Sequence, residues 1–358
     1  LTQADSLPRY AQQIEGQLLS LLKKEGKDAP KHDDVDHLIE QYVRHFSDFF
    51  LAYLPRLRLA CEATIFLDVE FACREGVGKR LWDAHISINN RYRKYVGQYK
   101  KGDQKKNVVE RRKLEKHYVD FIKTSQFFYK GYIQRLASHF AGMKGLRRVA
   151  QSMSLNTLSA DPRVKVPPEV EHLIEMSVHA TLLRLGDLSR YRNDLRTKDR
   201  NWEPAMGHYL LANDLYPDSG QAHNQMAVIA LADGNHLNAV YHLYRALAVK
   251  EPHLLAKGNL ELEFKKITSA WEKKRLQPKM DSLSTLIWWF VLLHSRFYEG
   301  VDFSTHDELE NEVLSRLALL LKEQSFGDTL EKFVIINIAA EFFAGQRVQG
   351  MLVPTFFE

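Results

Sequence analysis

The sequence has little cysteine and almost no sign of β-strands. Cys61 and Cys73 are the two cysteines in 358 residues. They sit twelve apart without zinc-like spacing, which excludes a disulfide framework and points to a reduced intracellular compartment. No sustained alternation of β-branched and polar residues occurs, whereas apolar residues recur at i, i+3 and i+4 throughout. The expected fold class is therefore all-α. The most apolar stretches, such as STLIWWFVLLHS, are too short to cross a bilayer, so no membrane partner is expected. No phosphate loop, nucleophile elbow or metal-ligand spacing is present, so neither catalysis nor a cofactor or metal is expected. The first residues, LTQADSLPRY, lack a charged-then-apolar leader and, without an initiator Met, read as a fragment boundary.

What is present is an ordinary globular balance, 45% apolar and 27% charged residues, in a chain long enough for two or three domains. The net charge of +5 is unevenly spread. Residues 79–148 hold nineteen Lys and Arg against five Asp and Glu, so the remainder of the chain is acidic. A band of this density favours a polyanion, whether nucleic acid, an acidic tail or a phosphorylated partner; the alternative is the solvated face of long helices.

Helical stripes organise the first half. Residues 34–57 carry Val35, Leu38, Ile39, Tyr42, Val43, Phe46, Phe49 and Phe50 on one broad face. Residues 81–99 carry Leu81, Ile88, Tyr92, Tyr95 and Tyr99, and 109–150 read as one long helix or a helical pair. Three prolines among small polar residues place a loop at 154–170. Past it a repeat emerges: Ala205, His208 and Ala212 return as Ala239, His242 and Ala246, each 34 residues on, and the YP of 216–217 is echoed by the EP of 251–252. Thirty-four residues is the tetratricopeptide period, in which small residues let paired helices approach. Leu185-Gly186 supplies the small-residue signal on the first helix, and DLRTKDRNW is an insertion before the second.

Candidate residues gather around GDLSRYRND (186–194). Arg190 either pairs with Asp187 or Asp194 along its own helix or offers its planar fork of donors to an anion. Shifted by 34, Arg190 lands on Asn224, so the two occupy equivalent first-helix positions that would line one groove. An amide there can bond a peptide backbone in both directions. In the basic band, Lys100, Lys101, Lys105, Lys106, Arg111 and Arg112 are candidates for nucleic-acid phosphates. The stripe formed by Tyr92, Tyr95 and Tyr99 reads as a buried face rather than a base-stacking platform. Cys73 and the Trp289-Phe290 pair read as packed residues. His85, His208 and His242 read as packing or interface residues.

The stretches LRLGDLSRYRND, GQAHNQMAVIALADGNHLNAVYHLYRALAVKEPHLLAKGNL, DVEFACREGVGKRLWDAH and FYKGYIQRLAS resemble the ever-shorter-telomeres family of telomerase-associated proteins and nonsense-mediated mRNA decay adaptors. The resemblance implies a 14-3-3-like bundle incorporating tetratricopeptide-like repeats and followed by a helical extension. It also implies a phosphoserine or phosphothreonine pocket built on Arg190 and Tyr191 in the GDxxRY context, with Asn224 holding the peptide. Two more basic residues would come from an earlier helix, seven apart. Alignment on Leu81-Trp82 puts them at Ser87 and Lys94, so one charge is missing, and Arg91 on the same face is the candidate to replace it. The implied partner is a phosphorylated protein, the RNA helicase of mRNA surveillance or a telomerase component. Homodimers or paralogue heterodimers, contacts to RNA or telomeric DNA, and residence in cytoplasm and nucleus are implied as well. Some relatives continue into a nuclease domain, which 1–358 does not contain. The expected organisation is an N-terminal segment 1–33, partly flexible, and a 14-3-3-like unit 34–252 (bundle 34–153, loop 154–170, repeats 171–252). A helical extension, 253–358, completes it.

Overall fold

In the computed structural model of the chain, the structure describes residues 54–101, 108–158, 164–196, 199–273, 281–299 and 306–352. The chain divides into two compact units, 1–211 and 212–358. No described helix is long and apolar enough to cross a membrane.

The first unit opens with helical residues 54–67, followed by α1 (Val69–Arg74), α2 (Val77–Lys101), α3 (Val108–His139), α4 (Lys144–Ser152) and α5 (Pro168–Asp194). Leu54 and Leu57 are buried; the residues named for the expected 34–57 stripe, and the segment 1–33, lie outside the described residues. Asp68 caps α1 by accepting the Phe71 N–H at 2.9 Å, and satisfies one of the amides a helix start leaves open. Along α2 the buried residues Leu81, Ala84, His85, Ile88, Tyr92 and Val96 follow the helical period. The expected long helix or pair is a pair, α3 and α4, broken at Gly142, whose φ of 98° is costly for any residue with a side chain.

Two local expectations change. Within the expected loop, Val164–Lys165 forms a two-residue strand parallel to Phe140–Ala141. The helix α5 begins inside the loop's expected span, at Pro168, because Pro167 and Pro168 open it rather than bar it. At a helix start the missing N–H costs nothing and the fixed φ suits the first turn.

Hydrogen bonds between buried side chains hold this unit's centre together. Arg58 Nε donates to His85 Nε2 at 3.1 Å, and the Arg58 fork also reaches Ser125 Oγ at 2.7 Å. Since an arginine only donates, His85 Nδ1 carries the imidazole proton and gives it to Leu81 O at 2.8 Å. His85 is thus a packing residue. Burial, then the Arg58 charge, holds its pKa well below the ordinary value.

The repeat's helical pairs are present. Helix α6 (Glu203–Leu215) follows α5, and α7 (Gln221–Ala232) and α8 (His236–Leu247) form the next pair. At Gly186 a Cβ would lie 2.2 Å from the Tyr209 ring, so only glycine permits this approach of α5 to α6. Thirty-four residues later Gly220 does the same, where a Cβ would lie 2.2 Å from Ala246 O.

In the second unit the echoed ends of the repeats lie side by side. Gly220 N–H donates to Glu251 O, Glu251 N–H to Asp218 O, and His253 N–H to Ala246 O. Helices α9 (Ala256–Glu272), α10 (Ser282–Glu299), α11 (His306–Glu323) and α12 (Thr329–Leu352) continue the stack. One apolar cluster, including Leu243, Tyr244, Leu260, Phe264, Phe290 and Phe333, runs through α8, α9, α10 and α12. Phe290 stacks on Phe333 at 3.9 Å, while Trp289 is partly buried with the Arg316 guanidinium 5.1 Å from its ring.

Candidate functional site

The expected site residues of α5 are fixed by their own helix and by α6. Arg190 and Asp187 are three apart and therefore neighbours on the helix surface, and Arg190 Nη2 donates to Asp187 Oδ1 at 2.9 Å. Both side chains are largely buried, at 14% and 12% exposure, so this is not the weak solvated pair common on helices. Tyr209 of α6 completes the set: its hydroxyl donates to the same Asp187 oxygen at 2.7 Å and accepts Arg190 Nε at 3.5 Å. Burial works against the Arg190 charge, but the Asp187 carboxylate outweighs it and holds the guanidinium above its ordinary pKa. Burial and then Asp187 push the Tyr209 hydroxyl well above the phenol range too, so it stays a donor.

Tyr191 is buried, with two guanidiniums near its ring. The Arg190 Cζ lies 4.8 Å from its centroid and the Arg93 Cζ 5.5 Å. The α2 residue that meets Tyr191 is thus Arg93, which lies between the expected Arg91 and Lys94. Arg91 is half-buried, and Arg93 and Lys94 are exposed. Ser87, at the position where a charge was missing, donates its hydroxyl back to Asp83 O at 2.8 Å. Sequence reasoning missed Arg93 and Tyr209. The signal for Arg93 was its place in RYRKY. The signal for Tyr209 was Gly186, which needs a large residue opposite.

Asn224 lies in the second unit on α7. It is buried, and its Oδ1 accepts from Asn259 Nδ2 at 3.2 Å. Of the nucleic-acid candidates, Arg111 Nε pairs with Glu115 at 2.8 Å and Arg112 is exposed. Lys105, Lys106 and the side chains of Lys100 and Lys101 lie outside the described residues. Tyr92 stacks on Tyr118 with centroids 5.1 Å apart and is buried, while Tyr95 and Tyr99 are half-buried. The Cys73 thiol points to Leu173 O at 3.9 Å and burial raises its pKa, the opposite of an activated nucleophile. His208 bonds Pro204 O within its own helix, and His242 Nδ1 meets His223 Nδ1 at 2.9 Å, which makes both packing residues.

The chain is similar to known proteins. A family model described as telomerase activating protein Est1 matches residues 76–196, and one described as the Est1 DNA/RNA binding domain matches 205–356. The nonsense-mediated mRNA decay factor SMG7 of Arabidopsis thaliana is 28% identical over 65% of this chain and 23% of its own length. The telomere elongation protein est1 of Schizosaccharomyces pombe is 27% identical over 43% of this chain and 33% of its own. The chain thus spans about a quarter to a third of these relatives. Among solved structures, that of Est1 and Cdc13 superposes with a TM-score of 0.62 at 13% identity, covering 84% of this chain and 63% of that one. The Caenorhabditis elegans SMG5–SMG7 complex gives 0.52 at 15% identity, covering 96% and 79%. These likenesses carry the fold, a helical 14-3-3-like and tetratricopeptide-like architecture. With two adjoining family matches, relatives from both the decay and telomere branches and that fold, the chain belongs to the Est1/SMG family.

Proposed function

We propose that the chain is a phosphoserine- or phosphothreonine-reading adaptor without catalytic activity. It binds a phosphorylated segment of a protein partner, by family resemblance the helicase of nonsense-mediated mRNA decay. The observation that carries this reading is the Arg190–Tyr191–Arg93 cluster: two cations on one aromatic ring, one of them pre-positioned by Asp187 and Tyr209. Those two contacts use two of the five N–H donors of Arg190 and leave the fork's geometry suited to a phosphate. Lys94 and Arg91 supply further charge from α2, which a dianion leaving water requires. Asn224, whose carbonyl is held by Asn259, is a peptide contact on the second unit by resemblance alone. The complex of SMG5 with SMG7 supports pairing with a paralogue, and the two branches of the family support work in both cytoplasm and nucleus.

The test is fluorescence anisotropy of a serine-phosphorylated helicase peptide and its unphosphorylated twin. The phosphorylated form should bind at least about tenfold tighter, as expected for charge-assisted hydrogen bonds. Arg190→Ala should erase the difference, and the exposed Arg93→Ala should reduce it without lowering the melting temperature. Equal affinity for the two peptides would sink the reading.

A second reading, RNA or telomeric DNA held by the basic band 79–148, draws support from that band's charge. The region whose family description is DNA/RNA binding, 205–356, holds fourteen Lys and Arg against eighteen Asp and Glu. Charge therefore favours the first unit for any polyanion. Binding of single-stranded RNA that weakens steeply with salt and is lost on reversing Arg111 and Arg112 would favour this reading.

A further inference from the structure

One stripe of α5 takes no part in the Arg190 cluster. Ser189, Arg192, Asn193 and Arg196 stand at i, i+3, i+4 and i+7, where a helix and its C-terminal continuation present one face. With Gln126 of α3, Asn201 of the insertion and Pro204 of α6, this stripe lines a small open pocket of about 140 Å³, room for one side-chain head group rather than a whole small molecule. Arg190 and Tyr191 are not among the residues that line it. The insertion noted in the sequence, which lengthens the turn between α5 and α6, supplies one wall.

Two features of the pocket ask for a ligand. Asn193 is 5% exposed, and its Oδ1 accepts the Asn201 backbone N–H at 3.0 Å. That bond fixes the amide's orientation, so Nδ2 must face the other way, and there it has no acceptor among the described residues. A buried donor left this way is costly unless something brought from outside accepts from it. The second feature is charge. Arg192 and Arg196 stand exposed at the rim, and none of the described lining side chains is a carboxylate. The remaining polar walls are amides and a hydroxyl: Gln126 donates to Ser189 Oγ at 2.9 Å, which fixes that side of the pocket.

We propose that this pocket is a second recognition site, separate from the Arg190 cluster, for an acidic side chain of a bound peptide. Asn193 Nδ2 donates to its oxyanion and Arg192 and Arg196 pair with it at the mouth. The group is a phosphate ester or a carboxylate. The lining favours a peptide over RNA because it contains amides, which bond main-chain groups, and no aromatic ring on which a base could stack. The proposal stands on its own geometry and does not require that Arg190 bind phosphate.

The experiment is an NMR titration of the whole chain with 15N-labelled asparagine. The probes are N-acetyl-phosphoserine amide, N-acetyl-aspartate amide, N-acetyl-serine amide and uridine 5′-monophosphate. The Asn193 side-chain NH2 signals, assigned with Asn193→Ser, should shift with phosphoserine or aspartate and stay still with serine. Which of the two acids acts at lower concentration identifies the source. The double variant Arg192→Ala/Arg196→Ala, confined to the exposed rim, should weaken that response about tenfold or more, whereas Arg190→Ala should change it less than about twofold. Still signals with both acids would overturn the proposal, as would a response to the nucleotide alone. Loss of the response in Arg190→Ala would show that the shift is relayed from the first site, and would overturn it as well.

Discussion

Arg190 shows how much one residue's meaning depends on a helix it was not read with. GDLSRYRND announces both of its possible roles, and the Asp187 contact is the i−3 pair that the spacing allows. What the stretch does not announce is its burial, nor the contact with Tyr209 nineteen residues on. Arg93 escaped for a similar reason. Its neighbours Arg91 and Lys94 share a face with Ser87, but the ring that recruits Arg93 belongs to α5. Removing one oxygen separates packing from positioning here. Tyr209→Phe keeps the ring against Gly186 while Asp187 loses one of its two donors. It should cost about 1.5–3 kcal/mol in denaturant unfolding, the worth of a hydrogen bond to a charged group. Phosphopeptide binding should weaken by less than in Arg190→Ala. Unchanged stability would mean that the Tyr209 hydroxyl is incidental.

At the scale of elements, helices and their pairing were legible because two periods were written plainly, 3.6 residues in the apolar stripes and 34 in the repeat. The two-residue strands were not, since such a pair has no period to detect. The start of α5 was misplaced because proline signals a break and a first turn with the same letter. Gly186 was read correctly as the point of close approach, and its equivalent Gly220 was hidden outside the matched set of alanines and histidines. Gly186→Ala weighs two effects against each other. Alanine gains about 1 kcal/mol of helix propensity, but its Cβ would overlap a Tyr209 ring that is fully buried and tied down at its hydroxyl. Overlap should win, with a net loss of about 2 kcal/mol. A variant as stable as wild type in urea would show that α6 can move aside.

The whole molecule keeps several histidines neutral in its interior. Burial lowers His223 and His294 to about 4 and His242 to about 3, and His85 well below its ordinary value. A histidine depressed in the fold contributes its full stability above the unfolded value near 6.5. That contribution is lost as pH falls toward the folded value, because the unfolded chain takes up protons the folded chain refuses. Each contributes at most about 1.4 kcal/mol per pH unit between about 6.5 and 4. The urea midpoint should therefore fall clearly between pH 7.5 and 5.5, and less steeply in His294→Gln. A flat profile would contradict the buried, neutral state of these side chains.

The seam between the echoed repeat ends is joined by main-chain groups: Gly220 to Glu251, Glu251 to Asp218, His253 to Ala246. Bonds of that kind are indifferent to which side chains flank them. The joints of this stack can accordingly drift in sequence while their geometry persists, with the exception of Gly220, where any added carbon meets the Ala246 carbonyl. A scaffold jointed through its backbone can diverge to 13% identity and still superpose on a distant relative. Its surfaces are left free to be rewritten for different partners.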